Sequence, residues 1–159
     1  MKALGVLDHL PATARLSINV PYELVTVGTD WEAYRNPNAL HNGNVSVTIQ
    51  MLSILEYLDG AGSSPFASWF RTLDATAAAK VTTAIRRLEL GNFSNVKGVG
   101  GGVFEYRVDF GPGYRVYFGK DGEAVVILLG GGTKKRQDRD ITVAQERWAD
   151  YKKRKAQEK

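Results

Sequence analysis

Along this chain the pattern of apolar and polar positions changes period several times, and each change predicts an element. Phe104, Tyr106, Val108 and Phe110 alternate with Glu105, Arg107 and Asp109, the period-2 pattern of a strand with one aromatic and one charged face. Gly111-Pro112-Gly113 predicts a tight turn, because proline fixes φ and glycine tolerates positive φ. The return strand repeats the alternation, with Tyr114, Val116 and Phe118 inward and Arg115 and Tyr117 outward. After a turn at Lys120-Asp121-Gly122, a third strand is expected over residues 123–129. Its run from Val125 to Leu129 is apolar throughout, which predicts burial on both faces. Gly130, Gly131 and Gly132 are expected to end that strand and to permit a close backbone approach.

Helical spacing appears elsewhere. Ser64-Pro65 is a helix start, with Ser as N-cap and Pro at the first helical position. Phe66, Trp69, Phe70 and Leu73 then follow i, i+3, i+4, i+7. Asp74 can cap a second helix over residues 75–90, ended by Gly91, with Val81, Ile85 and Leu88 on its buried face. A last helix is expected over residues 140–155, with Ile141, Ala144, Trp148 and Tyr151 as the apolar side. A strand over residues 45–57, strongest from Met51, precedes the hairpin, and residues 98–102 read as a glycine-rich loop. From about residue 51 the order is β-α-α-β-β-β-α, an α+β fold: an antiparallel-rich sheet packed against a helical hairpin and a C-terminal helix.

Residues 1–50 differ. They hold three of the five prolines (Pro11, Pro21, Pro37), both histidines (His9, His41), an Asn-rich stretch over 36–44 and short β-like runs at 16–20 and 24–27. No strong helical period is present, and the segment reads as an N-terminal extension to a domain spanning 51–159.

Composition narrows the chemistry. A chain of 159 residues fits one domain with a sizeable core. There is no cysteine, which removes disulfides, thiolate metal sites and a cysteine nucleophile and suits a reducing cytoplasm. No apolar run reaches the roughly 18–20 residues of a membrane helix, and no secretory leader is visible, so a cytoplasmic protein without a membrane partner is expected. The charge is unevenly placed. Residues 1–50 carry three basic and four acidic side chains, residues 51–132 eight of each, and residues 133–159 ten basic and five acidic. The excess centres on Lys134-Lys135-Arg136 and on Lys152-Lys153-Arg154-Lys155, which points to a polyanion, nucleic acid first.

The aromatics of the strand pair are read as core, not as a base-stacking platform. Gly98-x-Gly100-x-x-Val103 falls short of a dinucleotide fingerprint, since it precedes a strand and lacks the last glycine. Arg107 and Arg115 on one strand face, close to Lys134, Lys135 and Arg136 at the end of the neighbouring strand, would form a concave basic site. Residues 51–159 contain no histidine, so paired-histidine ribonuclease chemistry and a Ser-His-Asp set are both excluded there. Catalysis would use Arg or Lys to stabilise charge, with Lys, Tyr or a carboxylate moving protons. No metal or cofactor is expected.

These residues resemble the RelE/ParE superfamily of bacterial toxins, in particular its HigB-like "addiction module killer" branch. The matching pieces run in order: Phe66-Ala-Ser-Trp-Phe with Leu73-Asp74; Arg86-Arg-Leu with Gly91-Asn-Phe-Ser-Asn-Val-Lys97; Glu105-Tyr-Arg-Val-Asp; Gly111-Pro-Gly-Tyr-Arg-Val-Tyr-Phe118; and Leu128-Leu-Gly-Gly-Gly-Thr-Lys134 with Gln137-Asp-Arg-Asp-Ile141. The resemblance implies the toxin of a type II toxin–antitoxin system: a metal-independent, ribosome-dependent mRNA endonuclease that inhibits translation and is held in check by a cognate antitoxin. Arg115 matches the family arginine that stabilises the transition-state phosphate. Arg107, Glu105 and Lys134 complete the implied catalytic set, and Lys135, Arg136, Gln137 and Arg139 the implied RNA-binding set. The position of a RelE-type catalytic tyrosine is occupied by Ile141, so Glu105, Tyr117 or a lysine is left as the general base. Met51 stands where such a toxin begins, so residues 1–50 are expected to come from an upstream start and to be dispensable. Two other functions share the fold: a ParE-like poison of DNA gyrase, and a catalytically inactive module that binds antitoxin or RNA.

Overall fold

The computed structural model describes residues 51–158 and the strand β1, Ala14–Leu16. Most of the β-like runs at 16–20 and 24–27, both histidines, residues 45–50 and Lys159 lie outside the described residues. The remaining elements are β2 (Ser53–Tyr57), α1 (Pro65–Phe70), α2 (Ala75–Glu89), β3 (Val96–Gly100), β4 (Val103–Val108), β5 (Tyr114–Asp121), β6 (Val125–Thr133), a 3-10 turn (Lys134–Arg136) and α3 (Gln137–Gln157). One sheet holds all the described strands in the order β1-β2-β6-β5-β4-β3. Every neighbouring pair is antiparallel except β2 and β6, which run parallel.

Local chemistry accounts for the elements. The Ser64 hydroxyl accepts from the Ala67 amide at 2.9 Å, and the Asp74 carboxylate accepts from the Ala77 amide at the same 2.9 Å, so each cap occupies an amide that the first helical turn leaves free. Gly91, at φ 75°, closes α2 in the left-handed region. Gly111 (φ 55°) and Gly113 (φ 75°) make the turn between β4 and β5. The structure differs from the sequence pattern in three places. Residues 98–100, expected within a glycine-rich loop over 98–102, belong instead to edge strand β3, which pairs with β4 and carries a bulge between Gly98 and Gly100. β6 does not end at Leu129 but runs through the three glycines to Thr133. α3 begins at Gln137 and ends at Gln157, longer than the apolar stripe alone predicts, because its first turn is polar.

The sheet has two covered faces. On one, Tyr106, Val108, Val116, Phe118, Val126 and Leu128 pack against Phe66, Val81, Ile85 and Leu88 of the helical hairpin, with Phe104, Phe110 and Tyr114 partly buried beside them. On the other, Leu55, Val103, Tyr117, Ile127 and Leu129 pack against Ala144, Trp148 and Tyr151 of α3, with Ile141 half-buried at the rim. β6 lies inside the sheet and is buried on both faces, as its apolar run predicts.

α3 is strongly charged, and its apolar contribution is concentrated in a few residues. Trp148 settles where β5 and the β3–β4 turn have no side chains: a Cβ at Gly119 would lie 2.4 Å from its ring, and one at Gly102 2.8 Å. Tyr151 stacks on it with centroids 5.2 Å apart. Polar straps fix the rest. Tyr57 donates to Asp150 at 2.7 Å, Tyr151 to Asp121 at 2.7 Å, Gln145 to the Val99 carbonyl at 3.0 Å and Arg154 to the Leu58 carbonyl at 2.7 Å. Lys155 pairs with Asp121, and Arg154 with Asp150. No helix of the described residues is long and apolar enough to cross a membrane.

Candidate functional site

The register of β4, β5 and β6 sets the site. Arg107 stands opposite Arg115, Glu105 opposite Tyr117, Arg115 opposite Gly132 and Tyr117 opposite Gly130, so all four side chains share the face beneath α3. The two arginines therefore share a strand face, as the alternation predicts. That face is not an open sheet surface, however. Glu105 is only 4% exposed and Arg115 6%, because the N-terminal turn of α3 lies over them; sequence alternation cannot see that covering layer.

Glu105 and Arg115 form a buried ion pair, Nε to Oε1 3.2 Å. Gln137, the first residue of α3, donates to the other carboxylate oxygen of Glu105 at 2.8 Å. The carboxylate is thus held from two sides. The guanidinium is less well satisfied: its Nε meets Glu105 as an ion pair without hydrogen-bond geometry, and its Nη1 makes no hydrogen bond. Burying a donor without an acceptor costs folding free energy, which makes this guanidinium a candidate for an incoming acceptor. Arg107, across from Arg115, is exposed and pairs loosely with Asp109 at 3.0 Å. The Lys134 amide donates to the Gly113 carbonyl at 2.9 Å, which ties the 3-10 turn and its cations to the β4–β5 turn. Lys134, Lys135 and Arg136 are all exposed there.

The predicted residues therefore divide. Glu105, Arg115 and Gln137 are in direct contact, with Arg107 and Lys134 at the margin. Arg136 and Arg139 instead line a second space, a cleft of about 250 Å³ between α1, the end of β6 and α3. Lys135 faces outward, with no contact to either set that the structure defines. The cleft also takes Trp69, Tyr117, Asp140 and Arg147 into its walls, of which sequence reasoning singled out only Tyr117 for chemistry.

Gly130, Gly131 and Gly132 explain how those walls come so close. A Cβ at Gly130 would lie 2.7 Å from the Arg147 guanidinium, one at Gly131 2.2 Å from the Trp69 ring, and one at Gly132 2.0 Å from Asp140 Oδ2. The triplet was the available signal for these partners: glycines inside a strand mark close approach from outside it. A bulge in β6 aligns them, because Tyr117 pairs with Gly130 and Phe118 with Leu128, leaving Leu129 as the extra residue.

Burial tunes the titratable groups. The Tyr117 hydroxyl is pushed well above its ordinary range, first by burial and then by the Glu105 and Asp140 charges, with the Glu105 carboxylate close beside it. Burial also raises Asp140, against the pull of Arg136, Arg139 and Arg147. Arg147 is lowered by burial and donates to the Leu129 carbonyl at 2.8 Å. Among the described residues, no group of three or more His, Cys, Asp or Glu could hold a metal ion.

A mostly antiparallel sheet, with a helical hairpin on one face and a basic, polar site under a C-terminal helix on the other, is consistent with a RelE-like α+β architecture. Residues 68–156 match the family described as Phage derived protein Gp49-like (DUF891), and the chain belongs to that family. It is a toxin-like family of the RelE/HigB addiction-module type, which implies an antitoxin as partner. Over 80 residues, 50% of this chain and 81% of the relative, the sequence is 48% identical to an uncharacterized protein of Haemophilus influenzae.

Proposed function

We propose that this chain is the toxin of a type II toxin–antitoxin pair and that it acts as a metal-independent, ribosome-dependent mRNA endonuclease. The observation that carries this reading is the Glu105–Arg115 pair, whose guanidinium keeps a buried Nη1 without an acceptor beside the exposed cations Arg107 and Lys134. Such donors suit a phosphate that gains negative charge as it becomes pentacoordinate. The 2′-oxygen attacks the adjacent phosphorus, the bond to the 5′-oxygen breaks, and a 2′,3′-cyclic phosphate and a 5′-hydroxyl result. One group takes the 2′-hydroxyl proton and another gives a proton to the leaving 5′-oxygen. Tyr117 stands opposite Glu105 in the sheet and, as a protonated phenol at neutral pH, is the group beside the pair that can donate. Glu105 is then the carboxylate placed to accept. Because Gln137 covers Glu105, RNA entry requires that side chain to swing away.

The burial of Arg115 favours a second reading, a toxin that acts by binding alone, as a ParE-like gyrase poison does. One experiment separates the two. The 5′ ends of a defined mRNA are mapped in a reconstituted translation reaction with the full chain, with and without ribosomes. Cuts that need ribosomes and vanish in a folded Arg115→Ala variant are expected. No cuts under any condition would overturn the nuclease reading in favour of binding alone.

A further inference from the structure

The cleft between α1, the end of β6 and α3 is walled by three arginines, Arg136, Arg139 and Arg147, and the Glu105–Arg115 pair does not line it. The three reach it from different places. Arg136 belongs to the 3-10 turn, Arg139 to the first turn of α3, and Arg147 lies further along the same side of that helix. Arg147 is held against β6. Its Nη1 donates to the Leu129 carbonyl at 2.8 Å, and the missing side chain of Gly130 admits it, since a Cβ there would lie 2.7 Å from that nitrogen. Among the described residues none of the three arginines forms an ion pair. Asp140 borders the cleft, but its Oδ2 is buried against the β6 backbone, where a Cβ at Gly132 would lie 2.0 Å away. It offsets at most one of the three charges. Like charges gathered around about 250 Å³ repel one another, and the half-buried Trp69 ring on the α1 wall limits how far water screens them. An anion in the cleft removes that repulsion.

We infer that this cleft is a second phosphate site, with Arg147 as its fixed donor and Arg136 and Arg139 as exposed donors at its rim. A carboxylate offers two oxygens in one plane, which a single guanidinium satisfies side by side. A phosphate spreads its oxygens tetrahedrally, toward donors that approach from several walls. Tyr117 borders the cleft and follows Arg115 on the same face of β5, so the two sites adjoin along that strand. A polymer with a phosphate at every unit can span both, whereas a free phosphate fills them one at a time. The arginines alone carry the phosphate site; its occupancy by RNA rests on the function proposed above.

Tryptophan emission of the full chain, at constant ionic strength, is followed during titration with inorganic phosphate, hexauridylate or hexaglutamate. The part of the signal lost in Trp69→Phe reports the cleft. Phosphate is expected to change it saturably, and hexauridylate at about a hundredfold lower concentration, because it engages both sites. Arg139→Gln weakens each by about tenfold, the loss of one charge-assisted contact, and Arg136→Gln with Arg139→Gln weakens each further. Both side chains are exposed, so these changes spare the fold. Phosphate binding with no gain for hexauridylate would keep the site and make free phosphate its ligand. Binding that is absent, or unchanged when both rim arginines are replaced, would overturn the inference. Hexaglutamate binding more tightly than hexauridylate would overturn it in favour of an acidic peptide. Phosphate binding here without any mRNA cutting would keep the cleft and remove the nuclease reading; cutting without a phosphate response at Trp69 would do the reverse.

Discussion

The two faces of the sheet are covered by helices to a similar extent but built on different terms. The face under α1 and α2 is dry. Its buried members include Tyr106, Val108, Val116, Phe118, Val126 and Leu128 against Phe66, Val81, Ile85 and Leu88, and among the described residues the Tyr106 hydroxyl is its one buried polar side-chain atom lacking a partner. The face under α3 is apolar only at the Trp148 and Tyr151 end. Toward the start of the helix it buries a carboxylate, a guanidinium and a phenol, with several of their atoms unpaired. Close packing makes the first face a source of stability. The second gives up stability at one end, and that end is the candidate site.

The comparison can be broken from either side. Phe118→Ala, on the dry face, is expected to lower unfolding free energy by about 3–5 kcal/mol, read from the urea midpoint. A loss below about 1 kcal/mol would mean that the hairpin face is not the stabilising one. Glu105→Ala leaves the Arg115 charge buried and unpaired, at a cost of about 3–5 kcal/mol, whereas the double change Glu105→Leu with Arg115→Met is expected to be neutral or stabilising. Toxicity should vanish in both. A double variant that stays toxic, or that unfolds, would assign the pair to structure and not to function.

The smallest effect is one of pH. Burial, and then the hydrogen bond to Asp150, raises the Tyr57 hydroxyl from 10.0 to about 12 in the folded chain. A raised pKa contributes stability that is fully present below pH 10 and is lost as pH rises through about 12. Tyr57→Phe should therefore flatten the decline of stability over that interval. An unchanged slope in denaturation measured from pH 9 to 12 would show that Tyr57 does not contribute the dependence.

Much of the scaffold could be read from the chain because its signals are local. Ser64 and Asp74 cap helices by contacts three residues away, and Gly111 and Gly113 turn the β4–β5 hairpin within a few bonds. Period 2 assigned Glu105, Arg107, Arg115 and Tyr117 to one face correctly. What alternation cannot report is which layer lies over that face. Glu105 and Arg115 read as exposed because charged side chains usually are, and the Gln137 contact that covers them spans 32 residues of sequence. The cleft escaped notice for a similar reason. Asp140, Arg147 and Trp69 meet only through the side-chain-free backbone of Gly130, Gly131 and Gly132, and those glycines read equally well as a strand end. Strand β3 was hidden by glycines whose strand geometry depends on β4.

The parallel pairing of β2 with β6 has a consequence for the order of events during synthesis. Ser53 meets Val125 and Glu56 meets Leu128, so β2 waits for most of the domain to be made before its neighbour exists. Contacts this distant in sequence close late. Both halves of the candidate site depend on the same late arrivals, since Gln137, Arg139 and Asp140 follow β6 directly. A nascent chain can complete its helical hairpin early, but the covered, ligand-ready face forms only once α3 has emerged. An emerging chain therefore has its hydrophobic hairpin before it has the Glu105–Gln137 contact, so folding of the scaffold and completion of the candidate site are separate events.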